Sequence, residues 1–126
     1  ILLGSENDIP VGEEIKNNID KQSGFLNLIG QTKLVDTIDI LSSSNLVLTN
    51  DSGLMHIAAS VNTNLIALYG PTSPQFTPPL SNKAVVIKKH EGYTKVRHGS
   101  LEEGYHQGLK DIKPEEVLSA LLEFEA

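Results

Sequence analysis

An acid, a hydroxyl, a glycine and a histidine stand within six residues of one another, directly after a short apolar run. The run is Leu46–Thr49, and the four residues are Asp51, Ser52, Gly53 and His56. A carboxylate can accept hydrogen bonds from hydroxyl groups, and a glycine at a helix start lets a ligand's oxygens approach the free N–H groups there. Because a helix N-terminus also carries positive charge, the pattern is typical of a site for a phosphate with a polyol beside it, as in a nucleotide-sugar.

A purely structural interpretation of the same residues competes with this one. Asp or Ser before a helix is most often an N-cap, which stabilises the helix by ~1 kcal/mol, and a single histidine in a helix is usually structural. A second corner favours the ligand site: "YGPTSP" at 69–74 follows the next apolar run, and its glycine and prolines fix a loop. We expect both corners at the same edge of a sheet.

Two other kinds of site are disfavoured by the spacing of the polar residues. Ser52 lies in no G-x-S-x-G frame, and nothing identifies His56 as its base, so no Ser-His-Asp triad is indicated. The four histidines, at 56, 90, 98 and 106, are at least eight residues apart, and the chain has no cysteine. Since local metal ligands usually stand closer together, we predict no metal site and no cofactor.

Alternating strands and helices must position these corners. Short apolar runs predict strands at 1–4, 25–29, 46–49, 64–70 and 84–88. Helical periodicity is found at 13–22, 33–43 and 53–61, and a last helix is expected to begin near Pro114. Strands separated by helices indicate βαβ units and a parallel sheet, which binds ligands beyond the carboxyl ends of its strands. We therefore predict a single α/β domain over residues 1–126, with a doubly wound, Rossmann-like parallel sheet.

The composition fits a soluble globular domain that does not bind nucleic acid. The chain has 126 residues, 39% of them hydrophobic, and 16 acids against 10 bases give a net charge of −6. Proteins that bind a phosphate backbone usually show a basic stripe, so this balance disfavours nucleic acid. No apolar run approaches the roughly 18 residues that a membrane-spanning helix needs. The chain opens at Ile1 without a methionine, so we expect a piece of a longer protein.

Two long stretches of the sequence resemble a known family. "TNDSGLMHIAASVNTNLIALYGPTSPQFTPPLS" (49–81) is similar to the C-terminal domain of the ADP-heptose:lipopolysaccharide heptosyltransferases, inverting enzymes of the GT-B fold, which share a D-[ST]-G-x-x-H core. "GYTKVRHGSLEEGYHQGLKDIKPEEVL" (92–118) resembles type II members in particular. The resemblance implies a cytoplasmic enzyme that binds ADP-heptose and passes the heptose to the inner core of lipopolysaccharide.

The resemblance also implies roles for the residues of the first corner. Asp51 matches the family acid that binds heptose hydroxyls. Ser52 and Gly53 match the residues whose side chain and amide meet the diphosphate, and His56 matches a histidine beside it. These roles agree with the residue types, which indicate a phosphate site at the helix start and a carboxylate that accepts hydrogen bonds from a polyol.

Further family positions fall outside the corner or outside the chain. Asp8 matches an acid on the adenosine ribose, and Thr32 falls where the family borders the adenine. The family's catalytic base is an Asp of the N-terminal, acceptor-holding domain, and a phosphate-binding Thr and Lys precede the position of Ile1. The resemblance thus implies that residues 1–126 are the donor-binding part, lacking its first strand or strands and the N-terminal domain. It implies no catalytic residue in this chain and no activity of the chain alone.

Two alternatives to this function stay open at the level of the sequence. One is another GT-B nucleotide-sugar enzyme, such as a UDP-sugar epimerase or transferase. The other is a non-catalytic phosphate-binding α/β domain of the flavodoxin-like kind, for which Glu6 and Asp8 give slight support.

A local basic patch also has two interpretations. It consists of "KKH" at 88–90 and "KVRH" at 95–98. It is either a solvated loop or a contact with the anionic acceptor or with the surface of the inner membrane, where the enzyme would be peripheral.

Overall fold

The computed structural model describes residues 1–21, 24–61, 63–90 and 107–125. These residues form two compact units, Ile1–Ile40 and Leu41–Ala126. The division falls within helix α2 (Leu34–Ser43), which begins and ends within one residue of its predicted bounds.

Two extended segments of the first unit pair in parallel over a very short distance. Leu2 N donates to Leu26 O at 2.8 Å, Leu28 N donates to Leu2 O at 2.9 Å, and the result is an isolated bridge between Leu2 and Asn27. The predicted strands at 1–4 and 25–29 are therefore right in position and wrong in length. Each run ends at a glycine, and Gly30, with φ of 71°, turns the chain away from the extended direction.

Helix α1 (Ile9–Asn17) begins at Ile9 rather than at the predicted residue 13. The reason is Pro10, which lies in the first turn, where its missing N–H removes no helical hydrogen bond and its fixed φ suits the helix. At the other end, Asn18 Nδ2 donates to Glu14 O at 2.8 Å and satisfies a carbonyl of the last turn. The predicted extension of this helix to residue 22 is wrong.

The second unit is built on a three-stranded parallel sheet in the order β1-β2-β3. The strands are β1 (Leu46–Asn50), β2 (Asn64–Tyr69) and β3 (Ala84–Lys88). Helix α3 (Gly53–Ser60) packs on β1 and β2, while α4 (Gln107–Lys110) and α5 (Pro114–Glu125) pack on β2. The three predicted strands, the helix at 53–61 and the helix start at Pro114 are confirmed to within one residue; α4 was not predicted.

The central strand β2 is buried on both faces. Leu65, Ile66, Ala67 and Tyr69 expose no surface, and neither do Met55 and Ala58 of the neighbouring helix α3. Because successive side chains of a strand point to opposite faces, burial of consecutive residues requires cover on both sides of the sheet. This arrangement confirms the predicted doubly wound α/β architecture.

Candidate functional site

The candidate site is built on the corner between β1 and α3. β1 ends at Asn50, and Asp51 N donates to Leu68 O at 3.1 Å, so the backbone pairing with β2 continues one residue past the strand. Ser52 is extended, with φ of −155° and ψ of 172°, and holds the N-cap position of α3. The sharp strand-to-helix turn predicted from the sequence is confirmed.

Neither polar side chain at this corner caps the helix. Ser52 occupies the N-cap position without a side-chain cap hydrogen bond, and the Asp51 carboxylate accepts from Thr77 Oγ1 at 2.9 Å instead. Met55 N bonds the Ser52 carbonyl at 3.1 Å. The first N–H groups of a helix have no partner within it, so the start of α3 retains donors and positive charge for a ligand.

A pocket of about 340 Å³ opens at this corner. The first corner contributes Asn50, Asp51, Ser52, Gly53 and His56 to its wall. The end of β2 and the loop after it contribute Leu68, Gly70, Pro71, Thr72 and Thr77, and α4 contributes Leu109. The two corners that we expected to share an edge of the sheet therefore do so, and they enclose one pocket at the carboxyl ends of β1 and β2.

Gly53 is not required by the packing of the protein. A Cβ built on Gly53 would meet no atom within 4 Å, and the residue does not adopt a positive φ. Gly12 shows the opposite case, since a Cβ there would lie 2.6 Å from Ile29 Cδ1. Gly53 lies in the pocket wall, and the space beside its Cα is open, so the glycine is not needed to make room for a neighbouring side chain.

Sequence reasoning missed two residues that hold Asp51 in place. Thr77 donates to the Asp51 carboxylate, and the Tyr69 hydroxyl donates to Thr77 O at 2.5 Å. Burial raises the pKa of Tyr69 to about 12, and the negative charge of Asp51 acts in the same direction. A tyrosine at the end of a buried strand must find a partner for its hydroxyl, whereas Thr77 carried no comparable signal in the sequence.

The two predicted adenosine contacts lie in the first unit, and both side chains have local partners there. Asp8 Oδ2 accepts from the hydroxyl of Ser5 at 2.7 Å and from its backbone N–H at 2.8 Å; these bonds hold the pKa of Asp8 below its usual value. Thr32 Oγ1 lies 3.0 Å from Thr37 Oγ1. The contacts of Asp8 with ribose and of Thr32 with adenine stay predictions.

The described half of the basic patch is paired within the protein. Lys88 Nζ donates to Thr72 O and thereby ties the pocket loop to β3. Lys89 Nζ lies 2.6 Å from Glu116 Oε1, and His90 Nε2 lies 2.6 Å from Asp111 Oδ2. Because residues 88–90 are bonded to other parts of the protein, they fit neither the solvated loop nor a free cationic surface. Residues 95–98, the other half of the patch, lie outside the described part of the chain.

The ion pair between Lys89 and Glu116 of α5 makes the stability of the protein depend on pH in the acid range. Lys89 and the backbone N–H of Lys113 donate to Glu116 and hold its pKa below the ordinary 4.5. A carboxyl whose folded pKa is lowered stabilises the fold above its unfolded pKa, and this stabilisation is lost as the pH falls through the folded pKa. We expect Glu116→Gln to lower the melting temperature at about pH 7, and we expect this difference to shrink as the pH falls through the lowered folded pKa of the carboxyl.

A matched variant shows whether the lysine causes this pH dependence. In a Lys89→Met background, the effect of Glu116→Gln at neutral pH should shrink, because the main partner of the carboxylate is gone. A melting-temperature difference between the wild type and the Glu116→Gln variant that persists unchanged into acid would contradict the assignment.

In the described ranges, no helix has both the length and the apolar character needed to cross a membrane. Within the same residues, no three His, Asp or Glu side chains cluster in a way that could hold a metal ion.

Comparison with known proteins gives the family of the chain. The sequence profile of glycosyltransferase family 9 (heptosyltransferase) matches residues 1–106. The chain belongs to glycosyltransferase family 9. The match to the glycosyltransferase family thus includes the D-S-G-x-x-H corner, both strand-end segments of the pocket wall and the first unit.

Curated members of family 9 are similar over nearly all of this chain. The lipooligosaccharide heptosyltransferase 2 of Haemophilus influenzae is 54% identical over 97% of the chain, and the lipopolysaccharide heptosyltransferase 2 of Escherichia coli is 50% identical over 96%. The chain spans 36% and 35% of the length of these two relatives, respectively. The predicted resemblance to type II heptosyltransferases is confirmed.

Solved structures of the family share the fold. The structure of Escherichia coli ADP-heptose LPS heptosyltransferase II matches 98% of this chain with a TM-score of 0.85 and 44% identity. A glycosyltransferase family 9 structure from Veillonella parvula matches 97% with a TM-score of 0.81 and 27% identity. The match covers 35% of each of those chains. The predicted fold, a domain of a GT-B heptosyltransferase, is confirmed.

Proposed function

We propose that residues 1–126 are the ADP-heptose-binding part of an inverting heptosyltransferase that adds heptose to the inner core of lipopolysaccharide. The observation that carries the proposal is the uncapped start of α3 in the wall of a pocket, with the Asp51 carboxylate fixed beside it. Membership of glycosyltransferase family 9 and the names of the type II relatives support the same donor and acceptor. The complete enzyme would act in the cytoplasm, with its acceptor and catalytic base held by an N-terminal domain.

The proposed donor fits the division of charge within the pocket. The start of α3 would face the diphosphate, where the N–H groups of Gly53 and Leu54 can donate to its oxygens. Asp51 would repel phosphate, so its place is beside the heptose, whose hydroxyls can donate to the carboxylate. His56 lies one turn into the helix and in the pocket wall, so its side chain would lie near the diphosphate.

This arrangement would favour departure of ADP during the transfer. An acceptor hydroxyl attacks the anomeric carbon of the heptose, the bond from that carbon to the diphosphate oxygen breaks with inversion, and negative charge develops on ADP. Preorganised N–H donors and the helix dipole at Gly53 would stabilise that charge without rearranging. The proton of the acceptor would pass to the base of the N-terminal domain, so the residues of this chain bind and stabilise rather than accept the proton.

Calorimetry on the complete protein tests the proposed role of Asp51. We expect Asp51→Asn to weaken the binding of ADP-heptose by about tenfold or more, because hydrogen bonds to a charged group contribute roughly 1.5–3 kcal/mol. The affinity for ADP alone should not fall, since ADP lacks the heptose that the carboxylate contacts and the substitution removes only repulsion between Asp51 and the diphosphate. The asparagine keeps the size of the side chain, so the loss reports the charge and the second acceptor oxygen rather than a change in packing.

The outcomes of this experiment separate the proposed donor from its competitors. An equal loss for ADP and ADP-heptose would contradict the contact between Asp51 and the sugar. Binding of UDP as strong as that of ADP would exclude adenine recognition and favour a UDP-sugar enzyme. Failure of the complete protein to bind any nucleotide would overturn the proposal.

A further inference from the structure

We propose that Thr77, supported by the buried Tyr69, is a positioning residue that orients the Asp51 carboxylate toward the sugar of the bound donor. This inference rests on the proposed function. Thr77 lies 26 residues from Asp51 along the chain and reaches it from the loop after β2. In this role Thr77 fixes the orientation of the Asp51 carboxylate and acts on the ligand only through it.

The Thr77 hydroxyl has two acceptors within reach, and the carboxylate is the better one. Thr77 Oγ1 lies 2.9 Å from Asp51 Oδ2 and 3.3 Å from Ser73 O. A hydroxyl has one proton, and a bond to a charged acceptor at the shorter distance is the stronger. The bond occupies Oδ2, while Oδ1 takes no hydrogen bond from the described residues, so the second oxygen stays available to hydroxyl groups of a ligand in the pocket.

Thr77 itself is fixed through its backbone. Thr77 N donates to Ser73 O at 3.1 Å, and Thr77 O accepts from the Tyr69 hydroxyl at 2.5 Å. Tyr69 exposes no surface and belongs to the central strand β2. A continuous set of contacts therefore links the buried sheet to the acid at the pocket, and rotation of the carboxylate would break the bond to Thr77.

Stabilisation of the loop alone does not account for the contact with Asp51. The loop is already held by bonds that do not involve the acid: Lys88 Nζ donates to Thr72 O, and Phe76 N donates to Ser73 O at 3.0 Å. Ser73 is itself buried. The hydroxyl of Thr77 thus adds little to the path of the loop, whereas it is the one described side chain that hydrogen-bonds the Asp51 carboxylate.

A double-mutant cycle on the complete protein tests this role. Thr77→Val keeps the shape of the side chain and removes the donor; we expect it to weaken ADP-heptose binding by about fivefold to tenfold and to leave ADP binding within about twofold. Thr77→Ser keeps the donor and should bind both ligands as the wild type does. In an Asp51→Ala background, which leaves Thr77 no side-chain acceptor at position 51, Thr77→Val should cause no further loss, because the residue acts through the carboxylate.

Four results would contradict the positioning role of Thr77 or the sugar contact of Asp51 on which it rests. An equal loss of ADP and ADP-heptose affinity in Thr77→Val, or the same loss in the Asp51→Ala background, would show a structural role for the loop and overturn the positioning role. A Thr77→Val protein that binds ADP-heptose normally would overturn it as well. If Asp51→Asn itself left ADP-heptose binding unchanged, the assignment of the acid to the sugar would fail, and this proposal with it.

A second variant keeps the test decisive if Thr77→Val does not fold. Tyr69→Phe removes only the hydroxyl that donates to Thr77 O and retains the aromatic ring in the core. We expect the same selectivity for ADP-heptose over ADP with a smaller loss, and melting curves of all variants confirm that the proteins compared are folded. An equal change for both ligands in Tyr69→Phe would count against the positioning role.

Discussion

Replacing Gly53 with proline should leave the fold intact and lower the affinity of the complete protein for ADP by about a hundredfold. Gly53 is the first residue of α3, where proline is well tolerated because the N–H has no partner within the helix. Ser52 is extended, as a residue before proline should be. The substitution thus removes a donor and fills the space of the pocket without disturbing the helix, and calorimetry with ADP measures the loss.

Gly53→Ala is the matched control for the proline variant. Alanine keeps the N–H and adds one carbon into a space in which no protein atom lies within 4 Å. We expect a melting temperature equal to or slightly above that of the wild type and a loss of ADP affinity smaller than that of the proline variant. If a folded Gly53→Pro protein bound ADP with wild-type affinity, the start of α3 would be excluded as the phosphate-binding site.

Truncating Leu65 to alanine should cost about 2–5 kcal/mol of the free energy of unfolding, since buried Leu→Ala changes lose apolar burial and leave a cavity. Leu65 exposes no surface and lies in the middle of the sheet, paired with Val47 of β1 and Ala84 of β3. Urea denaturation of the complete protein measures the change.

The same substitution at an exposed leucine provides the control. Leu122 on α5 is 60% exposed, so Leu122→Ala should cost less than about 1 kcal/mol. Equal losses at the two positions would mean that β2 is not the centre of the core, or that the surface of α5 is covered in the complete protein.

The elements around the candidate site were predictable because their local patterns agree with their environment. β2 is a continuous apolar run that the structure buries on both faces, and the turn formers Asn50 to Gly53 mark the start of α3. In the first unit the patterns conflict. "SENDIPVG" contains many turn formers, yet Pro10 begins a helix instead of preventing one. The short runs near Leu2 and Asn27 carry strand composition, although they share only a single bridge.

The residues of the candidate site also differ in how well the sequence predicts them, because some are neighbours in the chain and others meet only in the fold. Asp51, Ser52, Gly53 and His56 come together because they are neighbours in the sequence at the end of a strand, and the topology of a parallel sheet brings the next corner beside them. The contact of Asp51 with Thr77 depends on the path of a loop, which no periodicity specifies. The sequence therefore indicated the residues of the corner that line the pocket, and it did not indicate Thr77, which holds the Asp51 carboxylate.

The hydrogen bond from Asp51 N to Leu68 O, which extends the ladder beyond β1, has a consequence for the thermodynamics of binding. The backbone that presents the acid is part of the sheet, and the helix that presents the N–H donors starts two residues later. If the donor binds at this corner as proposed, it meets backbone groups that the sheet and the helix already hold. The protein would then lose little conformational entropy on binding, and most of the interaction free energy at the corner would contribute to affinity.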